Sequence, residues 1–289
     1  VYLNRPHVAE QFLDDIDRMV PRPTVAFWGC DLHYLRTERE FAVTGDTKQK
    51  ALAADWKMRE YRIFDRVDCV YYPSDVEVAE IHAHRPDLNA RVLPLYVMDR
   101  IQVPAYDADG RSGILFVGGF GHPPNLDGIN WFIESILPLV RRAHADVVLH
   151  IVGSNTPESI KAMDGAAIRV HGFVSDETLE QIYREVRLAV IPLRFGAGVK
   201  GKVVEAIQRG VPAVTTSIGA EGLPDAESVL AVADDEASFS DEVIRVLDGE
   251  SERLSRYQDY LDNNFSRQKA EAILVADLGS PQLSIQPGL

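Results

Sequence analysis

Short apolar, β-branched runs recur along the chain, and each is followed by a stretch of helical period. That alternation is the mark of βαβ units, which close as parallel sheets flanked by helices. In the first part the expected strands are 1–3, 24–28, 68–72 and 91–95, with helices at about 7–19, 48–66 and 74–84. Ser74, with Glu77 three residues on, reads as the cap of the third helix. Residues 96–113 hold two turn signals and no period, which makes them a linker. Beyond it, strands are expected at 114–119, 147–153, 168–173, 187–193, 213–216 and 228–233. The best helices there are 125–143 and 199–210, the latter stopped by Gly210 and Pro212, and 236–277 is helical and acidic. A length of 289 residues exceeds one average domain, so the fold class is α/β with two Rossmann-like sheets in tandem. The expected division is a first, incomplete domain over 1–105, a second over 106–265, and a C-terminal helix and tail over 266–289.

Composition narrows the partners. Hydrophobic content of 46% and charged content of 26% describe an ordinary globular chain. Two cysteines, Cys30 and Cys69, argue against a disulfide scaffold and fit a reducing, cytoplasmic setting. Apolar runs fall well short of the ~20 residues of a spanning helix, and the opening VYLNRPHVAE has neither the basic lead nor the apolar core of a signal peptide. A start on Val1, directly into a strand, suggests a fragment whose beginning lies upstream. The balance of 30 Lys+Arg against 44 Asp+Glu, a net −14, excludes nucleic acid as a general partner and limits membrane contact to the peripheral. Between Glu185 and Glu205, however, there is no acid at all, while Arg187, Arg194, Lys200 and Lys202 are basic. An anion is to be met locally.

Open α/β sheets bind ligands beyond the carboxyl ends of their strands. Strand 187–193 runs into RFGAGVKGK, where Gly196, Gly198 and Gly201 let backbone approach a ligand and Lys200 and Lys202 reinforce a helix N-terminus. Glu205, three residues after Lys202, is placed to accept hydrogen bonds from paired sugar hydroxyls, so a nucleoside diphosphate suits this turn. The alternative is a solvated surface helix with a Lys–Glu pair. A second glycine loop, Gly118–Gly119–Phe120–Gly121, follows strand 114–119, and further strand-end loops lie at 151–155 and 170–176. The loop at 170–176 offers backbone groups to a nucleobase edge.

Taken together, ILFVGGFGHPPN, IVGSN, VHGFVSD and AVIPLRFGAGVKGKVVEAIQRGVPAVTTSIGAEGL resemble the donor-binding half of retaining GT-B glycosyltransferases, specifically glycosyltransferase family 4 of the group 1 type. The resemblance covers nearly all of 112–280, and CDLHYLRTERE (30–40) is similar to the later part of that family's acceptor half. It implies two Rossmann-like domains facing a cleft and transfer of a sugar from a nucleotide-sugar donor to a glycan or lipid-linked acceptor. Retention of configuration, no metal cofactor and a place in polysaccharide biosynthesis follow from the same resemblance. It places the base near Gly172, Phe173 and Val174, and the ribose on Glu205. The diphosphate falls to Arg194, Lys200, Lys202 and the Gly119–Phe120 loop, with Gly153, Gly198 and Val199 lining the donor. The family's first glutamate is replaced by Ala197, and the basic pair usual after the first strand of this half is missing; Lys200 and Lys202 stand in for it.

His33 is the candidate catalytic histidine by its place after strand 24–28, although the family's histidine aligns with Cys30; a structural role is the alternative. Asp31, His122, His171 and Glu221 are placed in or near the cleft, with ordinary loop roles equally open. Asp107-Ala108-Asp109 matches a metal-binding pattern by chance position in the linker, and nothing spaces like a zinc site. Trp131 and Phe132 read as core packing. Two competing functions stand beside the transferase: a non-catalytic nucleotide-sugar-binding or partner-binding module, and a nucleotide-sugar epimerase on the same fold.

Overall fold

The computed structural model describes residues 1–94, 97–98, 101–250 and 252–279. In the first half, β1 (Tyr2–Asn4), β2 (Ala26–Trp28), β3 (Cys69–Tyr72) and β4 (Ala90–Val92) form a parallel sheet in sequential order. Between them run α1 (Pro6–Asp17), α2 (His33–Thr44), α3 (Thr47–Phe64) and α4 (Asp75–His84). Position 95 of the expected fourth strand and positions 96, 99 and 100 of the expected linker lie outside the described residues, as do 280–289 of the expected tail. α4 starts where its capping sequence predicts, with Ser74 Oγ accepting from the Val76 and Glu77 amides.

One helix was not expected. α2 begins after Leu32, which has no side chain able to cap it, and its first amides are met by carboxyls from other helices. Glu60 of α3 accepts from His33 N at 2.9 Å and Tyr34 N at 3.1 Å, and Glu77 of α4 accepts from Leu32 N at 2.7 Å. Both glutamates are fully buried.

The second half carries β5 (Ile114–Val117), β6 (Leu149–Val152), β7 (Ile168–Gly172), β8 (Leu188–Ile191), β9 (Ala213–Thr215) and β10 (Ala231–Val232). All pair in parallel, in the order β10-β9-β8-β5-β6-β7. The expected strand at 228–233 is cut to its end by a 3₁₀ turn at Ala226–Ser228. Its helices are α5 (Pro123–Trp131), α6 (Leu137–Ala143), α7 (Glu158–Lys161), α8 (Asp176–Glu185), α9 (Gly201–Gln208), α10 (Ser217–Ala220), α11 (Glu236–Leu247) and α12 (Tyr257–Phe265). α5 and α6 are one helix interrupted by a π turn at Phe132–Ile136, just before Pro138. Proline has no amide to donate and its ring crowds the preceding turn, which widens to make room. Strands β8 and β9 are buried throughout, as the continuous apolar runs of a sheet covered on both faces require.

A last helix, α13 (Arg267–Leu278), returns to the first half. Residues Phe27, Val70 and Tyr72 point to the face covered by α1, α3 and α4, while Trp28, Cys69 and Tyr71 point to the other, where Ala270, Ile273 and Leu274 of α13 cover them. Tyr71 Oη donates to Asp277 at 2.8 Å and Arg91 pairs with the same carboxylate at 2.8 Å.

Candidate active site

In the second sheet the strand order reverses between β5 and β8, and the crevice beyond their carboxyl ends is where a ligand fits. The loops leaving those two strands are the two glycine loops singled out in the sequence. Gly118 N donates to Val152 O at 2.9 Å, Phe120 N to Ser154 O at 2.9 Å, and Gly153 N to Gly172 O at 2.8 Å, so three strand-end loops are stitched together. The approach is close enough that a Cβ on Gly153 would sit 1.9 Å from Gly118 O, so only glycine fits there. Phe120 is buried on Phe116, ring centres 6.2 Å apart.

Asn125, at the start of α5, is buried and locks this floor. Its amide donates to Gly119 O at 2.8 Å and its Oδ1 accepts from Lys202 Nζ. Lys202 is half-buried and also lies over the Phe116 ring, 5.3 Å from its centre. Lys200 holds the N-cap of α9 with its side chain 9% exposed; its amine donates to Gly198 O and meets Glu221 Oε1 only at 4.0 Å. Burial pushes the Lys200 amine down to about 8, against the carboxylates of Glu221, Glu77 and Asp31. Burial, and then Lys200 itself, pushes Lys202 down to about 7. No side-chain hydrogen bond caps α9, so the helix start that carries the two lysines keeps its first amides available to a ligand. Valines 199, 203 and 204 bury the opposite side of this turn and hold it in place.

The first half closes over this loop. Gly198 has φ +73, and a Cβ there would meet Cys30 O at 2.7 Å and Asp31 Cβ at 3.3 Å. Asp31 pairs with Arg36, and His122 stands opposite, held neutral by enclosure and by Arg36, Lys202 and Lys200. Glu77 keeps its second oxygen, Oε2, buried without a partner among the described residues, and burial raises its carboxyl well above the usual range.

Several expectations about side chains change. The His33 ring lies tilted against Trp56, centres 4.4 Å apart, and Nδ1 meets Glu60 Oε1 at 3.2 Å and Asp31 O at 3.2 Å. Arg194 pairs with Asp127 of α5, Nε to Oδ2 at 2.9 Å, and its charge is offset there. Glu205 pairs with Arg209 at 2.9 Å, one turn on, and not with Lys202. Phe173 stands 83% exposed after β7, and Val174 packs against the core cluster that includes Val199 and Val203. His171 stacks on His150. Asp107 Oδ1 accepts from Asp109 N at 3.0 Å, a local turn. Trp131 and Phe132 are in the core as expected. Among the described residues no group of three or more His, Cys, Asp or Glu could hold a metal, and no helix is long and apolar enough to cross a membrane. Asn125, Arg36, Arg39 and Glu60 were not singled out in the sequence, and Glu77 only as part of a helix cap.

Two parallel-sheet halves meeting at strand ends, with the second doubly wound, define the GT-B glycosyltransferase fold. Residues 111–249, the half that carries Lys200 and Lys202, match the family model described as Glycosyl transferases group 1. A curated relative, an uncharacterized 44.6 kDa protein in the cps region of Klebsiella pneumoniae, is 32% identical over 164 residues, 54% of this chain and 41% of its own. Among solved structures, a variant of S. aureus TarM in complex with Fondaparinux, alpha-GlcNAc-glycerol and UDP superposes with a TM-score of 0.70 at 12% identity, covering 96% of this chain and 55% of its own. Sucrose-phosphate synthase from Thermosynechococcus elongatus gives 0.72 at 16% identity, covering 96% of this chain and 72% of its own. The chain thus spans less than half the length of the curated relative and about half that of TarM.

Proposed function

We propose that this chain transfers a sugar from a nucleotide-sugar donor to a glycan or lipid-linked acceptor, with retention of configuration, in the manner of family 4. The observation that carries this is the pair of amines, Lys200 and Lys202, enclosed at an uncapped helix N-terminus at the switch point and supplied only with neutral oxygens at short range. Two partly enclosed cations at an uncapped helix start suit a diphosphate, and the same charges stabilise it as it leaves. That arrangement is the support for transfer without a metal. On this reading the base lies along Gly172–Val174 and the ribose reaches Glu205, which Arg209 orients. His33 then acts through the loop it anchors and not by touching the sugar. The relative from a cps region supports a role in polysaccharide biosynthesis, and the two free cysteines support a reducing, cytoplasmic compartment.

Thermal unfolding with UDP, GDP, dTDP and ADP tests this. A nucleotide at ~100 times its dissociation constant stabilises by about 2.7 kcal/mol, a clear shift of the midpoint. One of the four is expected to shift the protein in the presence of EDTA, and Lys200→Ala and Lys202→Ala are expected to lose the shift. If none of the four does so, the donor-site assignment fails.

A further inference from the structure

Arg39 stands on α2, in the first half, yet its guanidinium serves two groups of the second. Nη1 donates to Gly196 O at 2.8 Å and meets both oxygens of Glu221, at 2.8 and 2.7 Å. Gly196 belongs to the turn whose Gly198 carbonyl accepts from Lys200, and Glu221 is also the carboxylate paired with Lys200 at 4.0 Å. Side chains of Lys200 and Glu221 are each 9% exposed and that of Arg39 is 26% exposed, so water screens these charges poorly. One carboxylate therefore answers to two cations, one from each half, and both cations hold carbonyls of a single turn. The surroundings are tight: a Cβ on Gly222, next to Glu221, would lie 2.5 Å from Ser74 Cβ.

We infer that Arg39 is a positioning residue for the anion site of the opposite half, acting through Glu221 and the Gly196–Gly198 turn. The inference rests on the assignment of Lys200 to a diphosphate. A diphosphate offers the Lys200 amine a stronger partner than Glu221, and the carboxylate is then left wholly to Arg39. Anion binding and closure of the two halves strengthen one another, and by linkage each does so by the same factor. The other charges facing Lys200 are Glu77 and Asp31 of the first half and Lys202 beside it.

Inorganic pyrophosphate is the probe, since it occupies a diphosphate site whatever the base. Its affinity is measured by calorimetry at pH 7.5 for the wild type, Arg39→Gln, Arg39→Lys, Lys200→Met and the double variant Arg39→Gln/Lys200→Met. The exposed Arg184→Gln serves as control. Arg39→Gln is expected to weaken binding roughly tenfold, Arg39→Lys less, and the double variant is expected to bind no worse than Lys200→Met alone, because Arg39 works through the turn that lysine sits on. Small-angle scattering is expected to show the wild type contracting with pyrophosphate and Arg39→Gln not. Wild-type affinity in Arg39→Gln, or losses that multiply in the double variant, would overturn the inference while leaving the diphosphate site standing. A wild type indifferent to pyrophosphate would overturn that site and the inference with it. A lower melting point with unchanged affinity and contraction would reduce Arg39 to a structural contact and overturn the proposal.

Discussion

Two amines within one turn of each other set the behaviour of the site at the scale of the residue. Both are lowered by burial from the ordinary lysine value of 10.5, Lys200 to about 8 and Lys202 to about 7. The unfolded chain keeps protons that the folded one sheds, so charging the amines opposes folding below pH 7, and the penalty fades as pH rises toward 10.5. A bound anion reverses the preference by favouring the ammonium forms. Pyrophosphate binding is therefore expected to take up protons between pH 7 and 9 and to weaken as pH climbs through that window. Calorimetry in two buffers of different ionisation enthalpy reads the uptake; a buffer-independent heat with flat affinity would count against the lysines. Glu205 makes a separate claim, because it is assigned to the ribose alone. Glu205→Gln is expected to weaken UDP, or whichever diphosphate binds, by about tenfold and to leave pyrophosphate unchanged; equal losses for both ligands would remove the ribose role. The lysines and glycines drew attention because they sit together in the acid-free stretch that ends at Glu205. Asn125 and Arg39 did not, since each reaches its partner across the fold, Asn125 to Lys202 and Arg39 to Glu221, and no local pattern marks such a pair.

Elements were legible in proportion to how locally they are specified. Ser74, read from the sequence as a cap, holds the start of α4 with its own side chain, and the strand runs of both sheets match apolar segments in the sequence. α2 is the exception, and its cause is specific. The segment HYLRTEREFAVT is polar, Leu32 offers no cap, and the acceptors for its first turn come from Glu60 and Glu77, which lie on α3 and α4. Such a helix exists because of its neighbours. Glu60→Leu strands the buried Tyr34 N and the part-buried His33 N, a buried amide being worth about 1–3 kcal/mol when left without a partner. The variant is expected to lose about 3 kcal/mol in urea unfolding with an unchanged slope. It is also expected to weaken nucleotide binding, since α2 carries Arg36 and Arg39 to the cleft. Full stability in Glu60→Leu would show that α2 holds its first turn without the buried carboxyl. The π turn before Pro138 was hidden for a different reason: the helical period runs through it unbroken, and only the missing amide hydrogen betrays it.

Whole-molecule architecture followed from the alternation of strand and helix, yet the way the halves are joined did not. The chain leaves the first half along the segment before β5 and comes back after α12, and the two passages lie side by side, Met98 N donating to Phe265 O at 2.9 Å and Arg267 N to Met98 O at 3.2 Å. α13 then supplies the second face of the first sheet, so four strands near the start are completed by a segment from the other end of the sequence. Periodicity can place that helix but cannot say which sheet it covers; its contact with Trp28, Cys69 and Tyr71 is decided by the unpaired apolar face those residues present. Asp277 fixes the contact, its side chain 3% exposed between Tyr71 and Arg91. Removing it by Asp277→Ala leaves a buried phenol without its acceptor and frees the half-exposed Arg91, at a cost of about 2 kcal/mol borne by the first half alone. The wild type is expected to unfold in one calorimetric transition, because α13, continuous with the second half, covers a face of the first sheet. Asp277→Ala is expected to split it, the first half melting earlier and the second, with its own complete sheet, at nearly the wild-type temperature. Pyrophosphate then discriminates further: if closure links the halves, saturating ligand should draw the two transitions back together. A single unshifted transition in the variant would mean that the halves are held by the cleft contacts around Gly198 and Gly222 and that α13 merely rests on the sheet.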